Sequence, residues 1–264
     1  MTKRIVWILV MASLLLGGPA QVGAAEATQV TAVGTSTRPS TQPATQPAAK
    51  KNPRHEEFVK IAKAGNVEVL FIGDSITDFW RRAGKGVWAR DFAPLKAANF
   101  GISGDNTQGV LWRLQNGELE GIHPKVVVLL IGTNNREKAE VIASGIKDII
   151  TEIQTRSPGT RILLHGIFPR GEKVDGGRAK FAQINAILAT YAEPNDPRRV
   201  VFIDIGDKFL NPDKTMNKEL MPDTLHPSEK GYELWAGEII ETVKQLMKTE
   251  VKPATAPAKS NEGA

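Results

Sequence analysis

Residues near the two ends of the chain have the types and spacing needed for nucleophilic attack on an acyl group. Ser75 follows Gly-Asp at the end of the apolar run Val67–Ile72, and Asp223 precedes His226 by three residues. A serine hydroxyl, an imidazole that takes its proton and a carboxylate that orients the imidazole together form a catalytic triad. We therefore predict Ser75 as nucleophile, His226 as general base and Asp223 as the acid that orients it.

Each of these motifs also has a structural interpretation. Gly-Asp-Ser is an ordinary turn sequence, and Asp223 or Thr224 could cap a helix that begins near Pro227. The other histidines lack a carboxylate at a comparable spacing, so we predict structural roles for them; they are His55, His123 and His165.

Acyl transfer also needs hydrogen-bond donors for the oxyanion that develops in the transition state. Gly104 could offer a backbone N–H that no side chain shields, and Asn134 could add a side-chain amide. Gly-Asp-Asn and Gly-Thr-Asn-Asn, the sequences around them, are also good turn formers, so a turn remains the alternative.

The elements that must position these residues alternate between strands and helices. Five strand-length apolar runs, mostly continuous, are typical of parallel strands covered on both faces. They are Val67–Ile72, Ala97–Phe100, Val126–Ile131, Ile162–Gly166 and Val200–Ile203. Helical patterns cover Thr107–Leu114, Glu137–Arg156, Arg178–Tyr191 and Pro227–Lys248.

This alternation predicts an α/β protein with a three-layer α/β/α architecture and right-handed crossovers. Ligands of such sheets bind at the carboxyl ends of the strands. Ser75, Gly104 and Asn134 each follow one of the first three predicted strands. The four motifs therefore converge if the segment from Asp223 to His226 folds back over that edge.

Aromatic residues cluster after Ser75. Phe79, Trp80 and Trp88 are either core residues or a surface on which a sugar ring stacks, and the core interpretation is favoured. Trp112 and Trp235 lie on helical patterns, which favours the core more strongly.

The two ends of the chain differ in composition from its middle. Residues 1–25 have a charged start, a short apolar stretch and small residues before Ala25, which predicts a cleaved signal peptide and export to the periplasm or medium. A retained membrane anchor is the alternative, but the apolar stretch is short for a span. We predict a disordered Thr/Gln/Pro-rich linker over 26–55, a folded domain over 56–248 and a disordered tail over 249–264.

The net charge of +5 comes from these ends. Residues 1–55 and 248–264 hold nine basic and three acidic residues, which leaves 25 basic and 26 acidic residues, net −1, in 56–247. The basic excess therefore does not argue for a nucleic-acid partner. The chain has no cysteine, which excludes disulfides and a cysteine-linked lipid anchor.

The ordered set Gly-Asp-Ser-Ile, Asn-Phe-Gly-Ile-Ser-Gly-Asp, Gly-Thr-Asn-Asn and Asp-x-x-His resembles that of the SGNH, or GDSL, hydrolases. Two further stretches, 111–119 and 168–173, resemble the catalytic α-subunits of platelet-activating-factor acetylhydrolase. The likeness extends from about Glu56 to Met247. It implies a flavodoxin-like five-stranded parallel sheet in the order 2-1-3-4-5, with no metal and no organic cofactor.

The resemblance also implies residue roles. Ser75 becomes the nucleophile and, through its N–H, part of an oxyanion hole with Gly104 and Asn134, while His226 and Asp223 complete the triad. The residues that match the acyl pocket of the acetylhydrolase subunits are Ile76, Thr133 and Leu225.

Branched side chains at those pocket positions indicate a site suited to acetyl groups. The predicted export sets the chain apart from intracellular acetylhydrolases, so we expect a glycan or small-molecule ester as substrate. The alternatives are a lysophospholipase or phospholipid deacetylase, and a non-catalytic carbohydrate- or envelope-binding module. We expect no nucleic-acid partner and no stable membrane insertion after cleavage, and a homodimer remains open.

Overall fold

The computed structural model describes residues 52–192 and 199–248. The predicted signal peptide, all but the last four residues of the predicted linker and the predicted tail lie outside these residues. Within the described ranges, no helix combines the length and the apolar character that crossing a membrane requires.

A five-stranded parallel sheet in the order β2-β1-β3-β4-β5 forms the centre of the fold, as predicted. The apolar, β-branched runs form its strands because both faces of the sheet are covered, so every side chain of the inner strands is buried. The strands are β1 (Val69–Gly73), β2 (Ala97–Gly101), β3 (Val126–Leu130), β4 (Arg161–His165) and β5 (Val200–Ile203).

Helices pack on both faces of this sheet and enclose two apolar cores. One core takes side chains from α1, α4, α5 and α6, and the other takes them from α3 and α7. The α-helices are α1 (Pro53–Ala64), α2 (Ser75–Asp78), α3 (Lys85–Asp91), α4 (Thr107–Arg113), α5 (Ala139–Arg156), α6 (Gly176–Ala189) and α7 (Glu229–Lys248).

Helix α1 was not predicted, and it begins inside the segment assigned to the linker. Asn52 caps it by accepting a hydrogen bond from the backbone N–H of Arg54 at 3.0 Å, and Pro53 occupies the first turn. Phe58 and Ala62 are fully buried in one core, and the Phe58 ring stacks on Phe100 with centroids 4.5 Å apart. This packing orders a segment whose sequence alone is a weak helix signal.

Helix α7 starts at Glu229, two residues later than predicted, so neither Asp223 nor Thr224 is a cap of this helix. The alternative role considered for Asp223 is therefore wrong. The loop before α7 is instead held by hydrogen bonds that the Asp223 carboxylate accepts, which are described below.

Candidate active site

Ser75 is the first residue of α2, directly beyond the carboxyl end of the buried strand β1. Asp74 caps this short helix by accepting a hydrogen bond from the Ile76 N–H at 2.9 Å. Gly73 allows the tight exit from the strand, because a Cβ there would lie 2.2 Å from the Thr77 Oγ1 atom. The side chain of Ser75 is thus fixed at the sheet edge by the packing of the strand and helix.

His226 and Asp223 reach Ser75 from the loop before α7, which we call the acid–base loop (residues 223–226). His226 Nε2 lies 2.9 Å from Ser75 Oγ, and His226 Nδ1 lies 2.6 Å from Asp223 Oδ2. A carboxylate only accepts, so Nδ1 carries the proton and Nε2 accepts from the serine hydroxyl. The structure therefore brings the three residues predicted as a triad into one hydrogen-bonded series.

The Asp223 carboxylate also organises its own loop. Its Oδ1 atom accepts the backbone N–H groups of Leu225 at 3.0 Å and His226 at 2.7 Å. Partial burial acts to raise the pKa of Asp223, but the hydrogen bonds donated by His226 and Leu225 outweigh it and lower the pKa. Asp223 is therefore anionic at neutral pH, as an acid that orients an imidazolium must be.

A second set of contacts holds the acid–base loop from outside. Thr224 adopts φ 64°, a left-handed conformation that is costly for a threonine, and its carbonyl accepts the Gly171 N–H at 3.0 Å. The buried Arg178 guanidinium donates to the carbonyl oxygens of Arg170, Gly171 and Lys214. Arg178 thus holds the Arg170–Gly171 segment, which in turn holds Thr224. Sequence reasoning missed this role of Arg178.

Phe79 stacks on the imidazole of His226, with ring centroids 4.7 Å apart and an interplanar angle of 28°. The guanidinium of Arg82 lies 4.6 Å from the centroid of the same Phe79 ring. The sequence predicted Phe79 to be a core residue or a sugar platform. The ring is half-buried and packs against the core, as the favoured interpretation predicted, and it also restrains the tilt of the imidazole.

The other aromatic predictions agree with the structure more closely. Trp80 and Trp235 are fully buried, whereas Trp88 and Trp112 are half-buried. The Trp88 ring packs against Phe71 with centroids 4.9 Å apart, within the core beneath β1.

The two predicted oxyanion donors lie on the loops after β2 and β3. Gly104 has φ 83°, and a Cβ placed there would meet no atom within 4 Å, so its backbone faces open space. The Asn134 side-chain amide donates one hydrogen to the Asp105 carbonyl at 2.9 Å. That contact links the two loops and leaves the second amide hydrogen of Asn134 for a ligand.

A buried ionic network anchors the loop that carries Gly104. Asp105 Oδ2 accepts from Arg113 Nε at 2.8 Å, and Arg113 Nη1 pairs with Glu118, which is fully buried. The His55 Nδ1 atom lies 2.9 Å from Glu118, which explains this histidine as a structural residue. Removing one partner of such a network is costly, because it leaves a buried charge without its counter-ion. The network therefore holds the loop that carries Gly104 in place.

Asp74 is a buried carboxyl beside Ser75 that is not part of the predicted triad. Burial raises its pKa, and the nearby Asp105 raises it further, while the Ile76 N–H and the Arg170 guanidinium lower it; the resulting pKa is about 7. Its Oδ1 atom caps α2, and its Oδ2 atom is enclosed without a hydrogen-bond partner among the described residues.

Of the residues matched to an acyl pocket, Ile76 lies in α2, and Thr133 and Leu225 lie on two loops. Ile76 and Thr133 are buried, and Leu225 is half-buried. The Thr133 hydroxyl is enclosed without a partner among the described residues, while the Thr133 carbonyl accepts from Arg170 at 3.4 Å. A nearby cavity of about 510 Å³, lined by residues such as Phe181 and Leu210, contains none of the triad residues.

The two remaining histidines have structural surroundings. His165 is buried in β4, and burial lowers its pKa to about 3, so it is neutral and accepts from the Trp235 indole N–H at 3.2 Å. His123 Nδ1 lies 3.5 Å from the Ser157 hydroxyl. In residues 52–192 and 199–248, carboxylates and imidazoles form no cluster that could bind a metal ion.

Comparison with known proteins identifies the family of the chain. Residues 71–234 match the sequence profile of the GDSL-like lipase/acylhydrolase family. The chain is 40% identical over 197 residues to platelet-activating factor acetylhydrolase IB subunit alpha2 of Rattus norvegicus, covering 74% of this chain and 83% of that protein.

Two solved structures share the fold. A GDSL-like lipase from Bacteroides thetaiotaomicron has a TM-score of 0.60 at 19% identity, covering 72% of this chain and 97% of the other. An acetyl xylan esterase has a TM-score of 0.54 at 23% identity, covering 67% of this chain and all of the other. The chain therefore belongs to the GDSL-like lipase/acylhydrolase family and is an ester-hydrolysing enzyme.

Proposed function

We propose that this protein is an exported serine esterase that removes short acyl groups, acetyl above all, from carbohydrate esters. The observation that carries the proposal is the series Ser75–His226–Asp223, with heavy-atom separations of 2.9 and 2.6 Å. Such separations allow proton transfer from the hydroxyl to the imidazole without rearrangement of the site.

In the proposed mechanism, His226 Nε2 takes the proton of Ser75 as Oγ attacks the ester carbonyl carbon. The carbonyl oxygen becomes an oxyanion that accepts hydrogen bonds from the N–H groups of Ser75 and Gly104 and from the Asn134 amide. The imidazolium is stabilised by Asp223 through the Nδ1 hydrogen bond.

The tetrahedral intermediate collapses when His226 gives its proton to the alcohol oxygen and the alcohol leaves. A water molecule then attacks the acyl-enzyme, again with His226 as base, and releases the carboxylic acid and free Ser75. The stacked Phe79 keeps the imidazole oriented through both proton transfers, since its ring lies 4.7 Å from the imidazole.

Two features support a short acyl group. Ile76 is buried and its carbonyl accepts the Tyr232 hydroxyl at 2.6 Å, so the chain beside the nucleophile has little freedom to open. Thr133 and Leu225 place further branched side chains on the neighbouring loops. A long acyl chain needs a continuous apolar channel, and three cavities of about 510, 390 and 580 Å³ among the described residues have no triad residue in their walls.

Carbohydrate is proposed as the alcohol because of the predicted export and the likeness in fold to an acetyl xylan esterase. The second candidate is a phospholipid deacetylase, favoured by the 40% identity to platelet-activating factor acetylhydrolase subunits. Both use the same acyl chemistry and differ only in the alcohol part of the ester.

The test is to measure kcat/KM for p-nitrophenyl acetate, butyrate, octanoate and laurate, and then acetate release from acetylated xylan and from an acetylated ether phospholipid. We expect acetate to be the best acyl group and xylan the better natural-type substrate. A preference for octanoate or laurate would refute the short-chain proposal, and a preference for the phospholipid would support the second candidate.

Covalent labelling identifies the nucleophile independently of the substrate. A fluorophosphonate should add one label to the protein, detected by intact mass, and Ser75→Ala should abolish it. Ser144→Ala, on the exposed face of α5, is the matched control and should be labelled normally. Labelling of the Ser75→Ala protein would show that another residue is the nucleophile.

A further inference from the structure

Arg170 is an exposed guanidinium between two loops of the active site. Its Nη1 atom donates to the carbonyl of Thr133 at 3.4 Å, and Thr133 directly precedes Asn134. The next residue, Gly171, donates its N–H to Thr224 in the acid–base loop at 3.0 Å. Arg170 is also close enough to Asp74 to act on its pKa. The side chain therefore lies at the mouth of the site.

Arg82 places a second exposed guanidinium near the acid–base loop, on the segment that follows α2. It lies 4.6 Å from the centre of the Phe79 ring, and Phe79 stacks directly on His226. The Arg82 guanidinium and the His226 imidazole therefore both contact the Phe79 ring. In the proposed mechanism this imidazole delivers a proton to the departing alcohol.

Within residues 52–192 and 199–248, neither Arg82 nor Arg170 forms an ion pair, and the nearby acids are occupied. Asp78 pairs with Arg81, Asp105 with Arg113, and Asp223 with His226. Asp74 is buried, and burial raises its pKa to about 7. The two guanidinium groups are therefore available to an anion that approaches the site.

Exposed guanidinium groups act on an anionic ligand in two ways. The field of each extends about 8 Å at physiological ionic strength, so it reaches a ligand beyond direct contact. Each guanidinium can also donate two parallel hydrogen bonds to a carboxylate. Large exposed apolar residues near the site are few, since Val141 and Val174 are the exposed ones among the described residues. The surface thus suits a charged polar group better than a lipid tail.

We propose that Arg82 and Arg170 form a subsite for an anionic group on the alcohol part of the ester, and that the preferred substrates are acetyl esters of acidic carbohydrates whose uronate carboxylate binds there. This rests on the proposed function, because the alcohol part is defined only when Ser75 attacks an ester. The acyl group and the anion lie on opposite sides of the scissile bond.

A matched pair of aryl acetates isolates the charge. 3-Acetoxybenzoate carries a carboxylate on its leaving group, and methyl 3-acetoxybenzoate is neutral with nearly the same shape. We expect the wild-type kcat/KM to favour the anionic ester by roughly tenfold at low salt, since two exposed charge pairs contribute roughly three- to fivefold each. The preference should shrink in 0.5 M NaCl because salt screens exposed charges.

Variants assign the preference to the two residues. Arg82→Gln and Arg170→Gln should each lower the ratio of the two kcat/KM values about threefold, and the double variant should bring it near one. Arg170→Lys keeps the charge and should retain most of the preference. Lys60→Gln removes an exposed cation from α1 and should leave the ratio unchanged. An unaltered ratio in the double variant, whatever its total activity, would overturn the subsite.

Natural-type substrates identify the source of the anion. An acetylated methyl glucuronoside should be hydrolysed faster than the matching acetylated methyl glucoside, and faster than an anionic phospholipid with an acetyl group. A faster phospholipid would overturn the carbohydrate assignment. If esters are hydrolysed without any charge preference, this inference fails alone; if none is hydrolysed, the proposed function fails first.

Discussion

The two sides of the active site are built by different means. Ser75 is 93% buried, at the junction of a core strand and a short helix. The side chain of Asp223 is 56% exposed and that of His226 is 22% exposed, on a loop held by hydrogen bonds. The proposed nucleophile is therefore positioned by the apolar core, whereas the proposed acid and base are positioned by a few polar contacts. Substitutions on the loop should change the rate with little change in stability, and substitutions under the nucleophile should change both.

Ser75→Ala removes one hydroxyl and should leave the fold unaltered, so it tests the chemistry of the buried side alone. We expect kcat for p-nitrophenyl acetate to fall by on the order of 10⁶, as when a nucleophile that acts with its base is lost. The melting temperature should stay within about a degree of wild type. A variant that keeps a tenth of the activity would show that Ser75 is not the nucleophile.

Asp223→Asn is the corresponding test of the exposed side. The amide oxygen can still accept the N–H groups of Leu225 and His226, so the loop should keep its shape. The amide nitrogen cannot accept from His226 Nδ1, which should lower kcat by roughly 10⁴ by favouring the wrong tautomer. Steady-state kinetics and thermal unfolding of the same preparation test this prediction. A fall in kcat of less than tenfold would refute the orienting role of Asp223.

Asn134→Ala tests a donor that is expected to act only in the transition state. We expect kcat to fall by roughly 10²–10³ with little change in KM. Asn134→Asp should be at least as damaging, since a carboxylate repels the oxyanion. Asn116→Ala is a suitable control, because this exposed amide also donates to a backbone carbonyl, that of Trp112 at 2.7 Å. Normal kcat with lowered stability would leave Asn134 as a turn residue.

Arg178→Gln should weaken the support of the acid–base loop from outside. A shift of about 1 Å in a catalytic group can cost up to about 10² in rate, and we expect a roughly tenfold lower kcat for the folded enzyme. Arg178→Lys, which keeps a donor, should recover part of it. A structural role alone would lower the melting temperature and leave kcat and its pH profile unchanged in both variants.

Asp74→Asn addresses the buried carboxyl under the nucleophile. Its pKa is about 7 in the folded protein against the ordinary 3.8, so the folded state binds more protons between about pH 4 and 7. Stability must then fall as pH rises through that window, by at most about 1.4 kcal/mol per pH unit. Asparagine can still cap α2, and the variant should lose this slope. Urea unfolding at pH 5, 6 and 7 measures it, and equal slopes in both proteins would contradict the shifted pKa.

Sequence reasoning found most of the framework because its signals are local. Continuous β-branched runs mark the strands, and the residues that end them are the site residues of a parallel sheet. The strand order came from family resemblance, since crossovers leave no trace in periodicity. Helices α1, α2 and α3 were missed. Helices α2 and α3 are short, whereas α1 is weakly periodic and is ordered by tertiary packing such as that of Phe58.

The contacts that sequence reasoning missed all join distant parts of the chain. Nothing around Phe79 indicates that its ring lies on His226, and nothing around Arg178 indicates that its guanidinium reaches Lys214. The raised pKa of Asp74 likewise depends on burial, which the Gly-Asp-Ser sequence does not specify. Residue type predicted which groups come together at the sheet edge, and only the fold shows what supports them.

The hydrogen bond between Ser75 and His226 joins residues 151 positions apart, which has a consequence for synthesis. The nucleophile is made with the first strand, but the base is made only after all five strands. A growing or truncated chain that ends before Met221 therefore has a serine without its general base. Ester hydrolysis should appear only once the last loop has docked, so catalytic activity reports the completion of folding and not merely the presence of the chain.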